Sequence, residues 1–289
     1  MWSFFKKSNS DSFAAAKKEF LKKFNKVEWE DKKLLETLIQ QAIQIQEESN
    51  GGLKIGFSKI GGTPDLPENI EWPKYKNKSM LFFGQLNFKQ LDVYHSNDFL
   101  PKSGLIYFFS YFGEPENDYS FLKQKNEYII LFTDVEETKL TSTSFPEDII
   151  EEYKFEPIQL KFKTIFQLPA TIETSVVENM NLSGNDLEML MNFEPGLESG
   201  SIGQILGYPI PAQYGVDYDL ALSLLDIDLE KGEEQSKSIE IEKVRPEFIN
   251  LLTMELFEPL GDSRCYFGIL QEDLKNRDFE KTIFVMQGT

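Results

Sequence analysis

Between Lys59 and Phe112 lies the stretch that most narrows what this chain can fold into. It reads Lys59-Ile60-Gly61-Gly62-Thr63-Pro64-Asp65-Leu66-Pro67, then Trp72-Pro73, then two apolar runs, Met80 to Phe88 and Gly104 to Phe112. Short runs rich in Phe, Tyr, Ile and Leu, bounded by Gly, Pro and polar residues, predict two strands fed by a turn-rich loop. The Gly61-Gly62-Thr63-Pro64 turn asks for backbone angles that side chains resist, so its glycines read as structural. A phosphate cradle does not fit. The loop lacks the lysine and Ser/Thr spacing of a P-loop and the third glycine of a dinucleotide fingerprint.

The residues before this stretch predict helices. Phe13, Phe20, Leu21 and Phe24 share one side of a helix over 11–24, with Lys17, Lys18, Lys22 and Lys23 elsewhere and Asp11 or Ser12 as N-cap. Leu34, Leu35, Leu38, Ile39, Ala42 and Ile45 predict a second helix from Asp31 to Ser49, stopped by Asn50-Gly51-Gly52. Strands are expected over Leu53–Ile60, Tyr128–Thr133 and Pro157–Phe166, the last alternating Ile158, Leu160 and Phe162 with polar neighbours. Ser144 to Glu147 fits a capping box ahead of a helix to Tyr153, and Asp186 to Phe193 reads as another helix. Gly113 to Asp118 reads as an acidic surface turn.

Charge and cysteine usage exclude several partners. With 30 basic and 48 acidic side chains the net charge is −18, which opposes nucleic acid and anionic membrane surfaces. The imbalance sits after residue 50, since the first 50 residues hold 9 Lys against 8 acidic groups. No apolar run approaches the roughly 20 residues of a bilayer span, and the N-terminus lacks the apolar core of an export signal, so no membrane insertion is expected. One cysteine, Cys265, permits no internal disulfide and points to a reducing compartment, the cytoplasm.

Taken together, Gly61-Gly62-x-Pro64-x-x-Pro67, Trp72-Pro73, Gln85-x-Asn87, and Leu100-Pro101 before Gly104-Leu105-x-x-Phe108-Phe109 resemble the YwqG-like family of bacterial proteins. Gly207-Tyr208-Pro209 with Gln213, and Gly261-Asp262 before Tyr266-Phe267, extend the resemblance to about residues 53 to 287. The chain departs from the pattern in its penultimate strand: the family's opening Trp and internal Gln are replaced within Glu247 to Glu255. The resemblance implies an internally duplicated α+β fold of mainly antiparallel sheets with flanking helices, and no established activity. Ile60-Gly61 and Pro64 would answer to Ile202-Gly203 and Pro209, and Tyr107 to Tyr266. The organisation expected is an N-terminal helical segment over 1–52, a first half over 53–180 and a second over 181–289, packed as one unit.

The residues that could carry chemistry are few. His95 and Cys265 are lone representatives of their types, too few for a zinc or iron site, and no Gly-x-Ser-x-Gly elbow accompanies His95. Asp226, Asp228 and Glu230 alternate as calcium ligands would, but large apolar residues stand between them and Gly232 comes one place late. No metal, cofactor or catalytic set is therefore expected. Candidate binding residues are Trp72, Tyr75, Gln85, Asn87, Tyr208 and Gln213, where rings and amides interleave. Gly61, Gly62, Pro64, Pro67, Trp72, Pro73, Gly104, Gly207 and Pro209 are assigned to the scaffold. The expected function is non-enzymatic binding, of a basic protein or a small polar ligand. Alternatives are a carboxylate hydrolase of carbohydrate or peptide in a cleft between the halves, and a structural subunit.

Overall fold

A computed structural model describes residues 2–48, 52–113, 125–171, 174–193, 200–229, 231–256 and 263–288, with side chains from Phe13 onward except at Thr174. The strands are β1 (Gln40–Glu47), β2 (Lys59–Ile60), β3 (Asp65–Pro67), β4 (Lys74–Tyr75), β5 (Lys78–Ser79), β6 (Leu81–Asn87) and β7 (Leu105–Ser110). They continue with β8 (Tyr128–Thr133), β9 (Leu140–Ser142), β10 (Ile158–Gln167), β11 (Ser201–Leu206), β12 (Phe248–Glu255), β13 (Ser263–Leu270) and β14 (Ile283–Gly288). The helices are α1 (Trp2–Phe24), α2 (Lys32–Thr37), α3 (Phe88–Leu91), α4 (Thr174–Val177), α5 (Gly184–Leu190), α6 (Val216–Leu224), α7 (Glu233–Ser236), α8 (Ser238–Val244) and α9 (Gln271–Asn276). The fold is α+β, and none of the described helices is long and apolar enough to cross a membrane.

Ten of these strands form one antiparallel sheet in the order β14-β13-β12-β11-β1-β10-β2-β6-β7-β8, nearly closed into a barrel. Alternation decides what fills it. Ile106 and Phe108 of β7, Cys265, Phe267 and Ile269 of β13, and Phe284 and Met286 of β14 point inward. The two flanks meet through rings, with Phe108 and Phe267 centroids 4.6 Å apart and Phe83 and Phe284 5.8 Å apart. Such edge and tilted contacts add about 0.5–1.5 kcal/mol each beyond the area they bury. Across the seam between β8 and β14, Phe279 packs on Phe132 and Phe88 at 4.8 and 5.6 Å. The interior is a packed core.

Outside the barrel, α1, α2, α4 and α5 build a helical layer around Phe24, Trp29, Leu35 and Leu190. Phe13 of α1 meets Phe166 of β10 edge-on at 5.3 Å. The Asp186 carboxylate, fully buried, accepts from the backbone of Glu30 and Asp31 at 2.9 and 2.7 Å and ties the α1–α2 connection to α5. Ser183 caps α5 by accepting from Asp186 N, and a 3-10 turn carries it on to Phe193.

Several sequence expectations are corrected. The helix over 31–49 stops at Thr37, and Gln40 to Glu47 instead form β1, a central strand within the supposed helical segment. Ile43 and Ile45 satisfy a period of two as well as a helical period, and β1 gains hydrogen-bonded partners on both edges, β10 and β11. The helix over 11–24 begins far earlier, so Asp11 and Ser12 are internal to it. Leu53–Ile60 reduces to β2, because Gly56 turns the chain at φ +80° and its N–H donates to Asp65. The capping box at Ser144 does not form. Asp148 accepts instead from Ser79 N and Oγ at 2.7 and 2.8 Å, leaving only a 3-10 turn at Glu151–Tyr153. The acidic turn over 114–118, the residues Gly261-Asp262, the Gly51 stop and Glu230 lie outside the described residues.

Candidate functional site

Four of the six candidate binding residues belong to the first flank. Gln85 is fully buried: its Nε2 donates to Asp65 Oδ2 and Phe57 O at 2.7 and 2.8 Å, and its Oε1 accepts from Asp65 N at 2.9 Å. Lys59 Nζ lies 2.9 Å from Asp65 Oδ1, and both side chains are buried. The network locks the Gly61 to Pro67 loop onto β6. Removing one partner of such a pair would leave a buried charge uncompensated. Asn87 caps α3 by accepting from Lys89 N at 2.9 Å and donates to Gly56 O at 2.7 Å. Trp72 Nε1 donates to Met80 O at 2.8 Å while its ring packs 5.8 Å from Phe109, and Tyr75 pairs with Tyr111 at 5.2 Å. These groups are occupied in holding the flank together.

The scaffold residues act as turns. Gly62, at φ +66°, would place a Cβ 2.7 Å from the Pro157 ring, and Gly207, at φ +64°, one 2.7 Å from Ala42 Cβ. Gly61 and Gly104 also have positive φ. Pro67 closes β3, Pro64 O accepts from Thr143 N, and Pro73 O accepts from Met80 N.

Tyr208 and Gln213 belong to the second flank. The Tyr208 hydroxyl donates to Leu38 O at 2.8 Å, and its carbonyl accepts from the amides of Gln167 and Gln204, each at 2.8 Å. The Gln213 N–H donates to Gln287 Oε1 at 3.2 Å. Of the six, Tyr208 lines a cavity of about 480 Å³ beside the Gly207-Tyr208-Pro209 loop; the other five do not. The volume falls within the range of small-molecule sites.

Among the residues lining that cavity is Arg245, on the 3-10 turn between α8 and β12 and only 4% exposed. Its Nε and Nη2 donate to Asp217 Oδ2 and Oδ1 at 3.2 and 3.4 Å, and Nη1 donates to Glu242 Oε1 at 2.7 Å. The Tyr218 ring stacks beneath it at 5.5 Å. Burial works against the guanidinium charge, but Asp217 and Glu242 more than offset it and hold its pKa above the ordinary value. Three of five N–H groups are thus committed and two are left. Ser175, 5% exposed, lines the cavity with its hydroxyl uncommitted among the described residues, as do the amides of Gln40 and Gln271 at the rim.

Arg245 and Asp217 stand on different elements, and no local spacing links them. One signal was available: the chain has 27 Lys and only 3 Arg. In a lysine-rich chain a rare arginine marks places where a planar, permanently charged fork is needed. Arg264 is the second example, donating to Ile210 O at 2.9 Å and Glu255 Oε1 at 2.9 Å.

On the far side of α6 from Asp217, the Asp219 carboxyl is pushed up to about 6 by burial, though Gln287 Nε2 donates to it at 2.9 Å. Asp219 does not line the cavity; Asp217 and Glu247 are its carboxylates among the described residues. His95 sits in the loop after α3 with both ring nitrogens buried, and burial outweighs the nearby Asp92, Asp98 and Asn97 backbone to lower its pKa. Cys265 faces the barrel interior, where burial pushes its thiol pKa up. Among the described residues no group of three His, Cys, Asp or Glu side chains could hold a metal.

A family model described as domain of unknown function (DUF1963) matches residues 58–288, well over half of the chain, and the chain belongs to that family. No curated protein matches it.

Proposed function

We propose that this member of the DUF1963 family is a non-catalytic, cytoplasmic binding protein whose ligand site is the cavity lined by Arg245. The finer placement among YwqG-like proteins, and an origin by internal duplication, are part of the same proposal. Three observations support duplication. The sheet order places a four-strand meander on either side of the β1–β10 pair. Ile60 pairs with Ile158 and Ile205 with Ile43, and each is followed by two left-handed residues, Gly61-Gly62 and Leu206-Gly207. The hydroxyls of Tyr107 and Tyr266 donate to Asp65 O and Ile210 O, at 2.7 and 2.9 Å. On this register Gly62 answers Gly207 and Pro64 answers Pro209, three residues along from the Ile202-Gly203 match, and β1 and β10 are exchanged between the halves.

The same register supplies the observation that carries the function. With Tyr107 opposite Tyr266, Phe109 stands opposite Gly268. Phe109 packs with Trp72 and Phe82 and fills its flank, whereas Gly268 lets Leu220 of α6 close onto β13, where a Cβ would clash with it, and both residues line the cavity. On one flank a ring takes this position and on the other a helix does, with a cavity carrying polar groups beside it. A thermal-shift screen of small polar molecules tests this: ligands should raise the melting temperature saturably, and Gln271→Trp, which puts an indole at the rim, should abolish the effect. No shift in wild type, or turnover of the added compound, would contradict it.

For a macromolecular partner the proposal is a basic protein, on the strength of the net charge of −18. Its binding should weaken with salt and with charge reversal of the acidic face. The carboxylate hydrolase has the raised proton affinity of Asp219 in its favour. Against it, Asp217, the neighbouring carboxylate that helps raise Asp219, is committed to Arg245.

A further inference from the structure

We infer that the cavity takes a neutral polyhydroxylated ring, a mono- or disaccharide. The inference rests on the binding reading above and narrows it by charge and hydrogen-bond count.

Charge comes first. The Arg245 guanidinium meets Asp217 on one edge and Glu242 on another, and Glu178 Oε2 stands 3.9 Å away. One positive charge is therefore surrounded by three carboxylates, with Glu247 on the wall and a net charge of −18 outside. A phosphate, sulfate or carboxylate ligand would enter against that field. An ammonium would face the guanidinium itself and leave its two spare N–H groups without acceptors, which is costly for buried donors. A neutral ligand avoids both penalties.

Among the described residues the uncommitted polar groups of the lining include two N–H donors on Arg245, the Asn97 Nδ2, the Ser175 hydroxyl, the Glu247 carboxylate and the amides of Gln40 and Gln271, the last two able to donate or accept. Sugar hydroxyls also donate and accept, so each can be paired by this set. The remaining walls bring the rings of Phe99 and Tyr208, against which the C–H faces of a pyranose can lie. A peptide is the competing occupant, because β11 and β12 pair only at Gly203–Met254 and Gln204–Thr253 and leave the β12 edge at Phe248 to Asn250 without a ladder partner beside the cavity. Glycylglycine in the titration separates the two.

Calorimetric titration with glucose, galactose, mannose, N-acetylglucosamine, maltose and cellobiose, beside glucose 6-phosphate and glycylglycine, tests the assignment. At least one neutral sugar should bind saturably, and glucose 6-phosphate should bind about tenfold more weakly than glucose or not at all. Gln40→Ala with Gln271→Ala should weaken the sugar by about tenfold while leaving the unfolding midpoint unchanged, since neither amide is used within the fold. Saturable binding of glucose 6-phosphate or glycylglycine alone would overturn the saccharide assignment and leave the binding reading standing. No binding of any probe would overturn the saccharide assignment, and a flat thermal-shift screen would remove the binding reading with it.

Discussion

Removing the Arg245 guanidinium would leave the Asp217 carboxylate 5% exposed and without its counter-charge. Arg245→Met should therefore cost about 3–5 kcal/mol in denaturant unfolding, far more than the surface pair Lys154–Glu151 could, which is worth about 0–1 kcal/mol. Asp219 makes a different prediction. Its carboxyl binds a proton up to about pH 6 in the folded state against 3.8 in the ordinary one. The folded state thus holds a proton that the unfolded state has released. The stabilisation is complete below the ordinary value and is lost as pH rises through about 6. The loss amounts to about 3 kcal/mol at most. Asp219→Asn keeps an oxygen for Gln287 and removes the titration, so the difference in stability between variant and wild type should widen from pH 4 to 7 and then level off. A constant difference across that range would contradict the burial argument.

Elements were legible in the sequence where one period had no rival. Tyr128 to Thr133 is strand β8 with the expected limits, and Asp186 to Phe193 falls within α5 and its 3-10 extension. The run from Leu34 to Ile45 satisfied both periods, and only pairing with residues more than a hundred positions away decides it for β1. That placement predicts that the amides of Ala42 to Gln46 exchange with solvent only through global unfolding, because their ladders are covered by β10 and β11. Early exchange there, with slow exchange in α1, would restore the helical reading. The Arg245–Asp217 pair was illegible for a related reason. It joins the first turn of α6 to the turn before β12, and sequence spacing records nothing of such an approach.

At the scale of the whole molecule, the proposed duplication exchanges β1 and β10 and would make each half depend on the other. The barrel core is continuous from Ile43 through Phe108 to Phe284. Fragments 2–156 and 157–288, which part β1 from β11 and β10 from β2, should each lack cooperative unfolding alone and recover it when mixed. A fragment that melts cooperatively by itself would argue against the exchange. The division at residues 52 and 180 expected from sequence passes outside β1 and β10, and of the matches that suggested doubling, Ile60-Gly61 lies at the end of β2 whereas Ile202-Gly203 lies inside β11. Of the cavity the motifs carried only Gly207, Tyr208 and Pro209, since Ser175, Asp217, Leu220, Arg245 and Gly268 come from stretches that no motif joins. The measurement closest to the central claim is retention of small molecules from a cell extract by wild type and by Gln271→Trp. After dialysis and unfolding, the wild type should release a neutral polar compound in stoichiometric amount and the blocked variant should not. Equal release from both, or none from either, would place the ligand elsewhere or remove it.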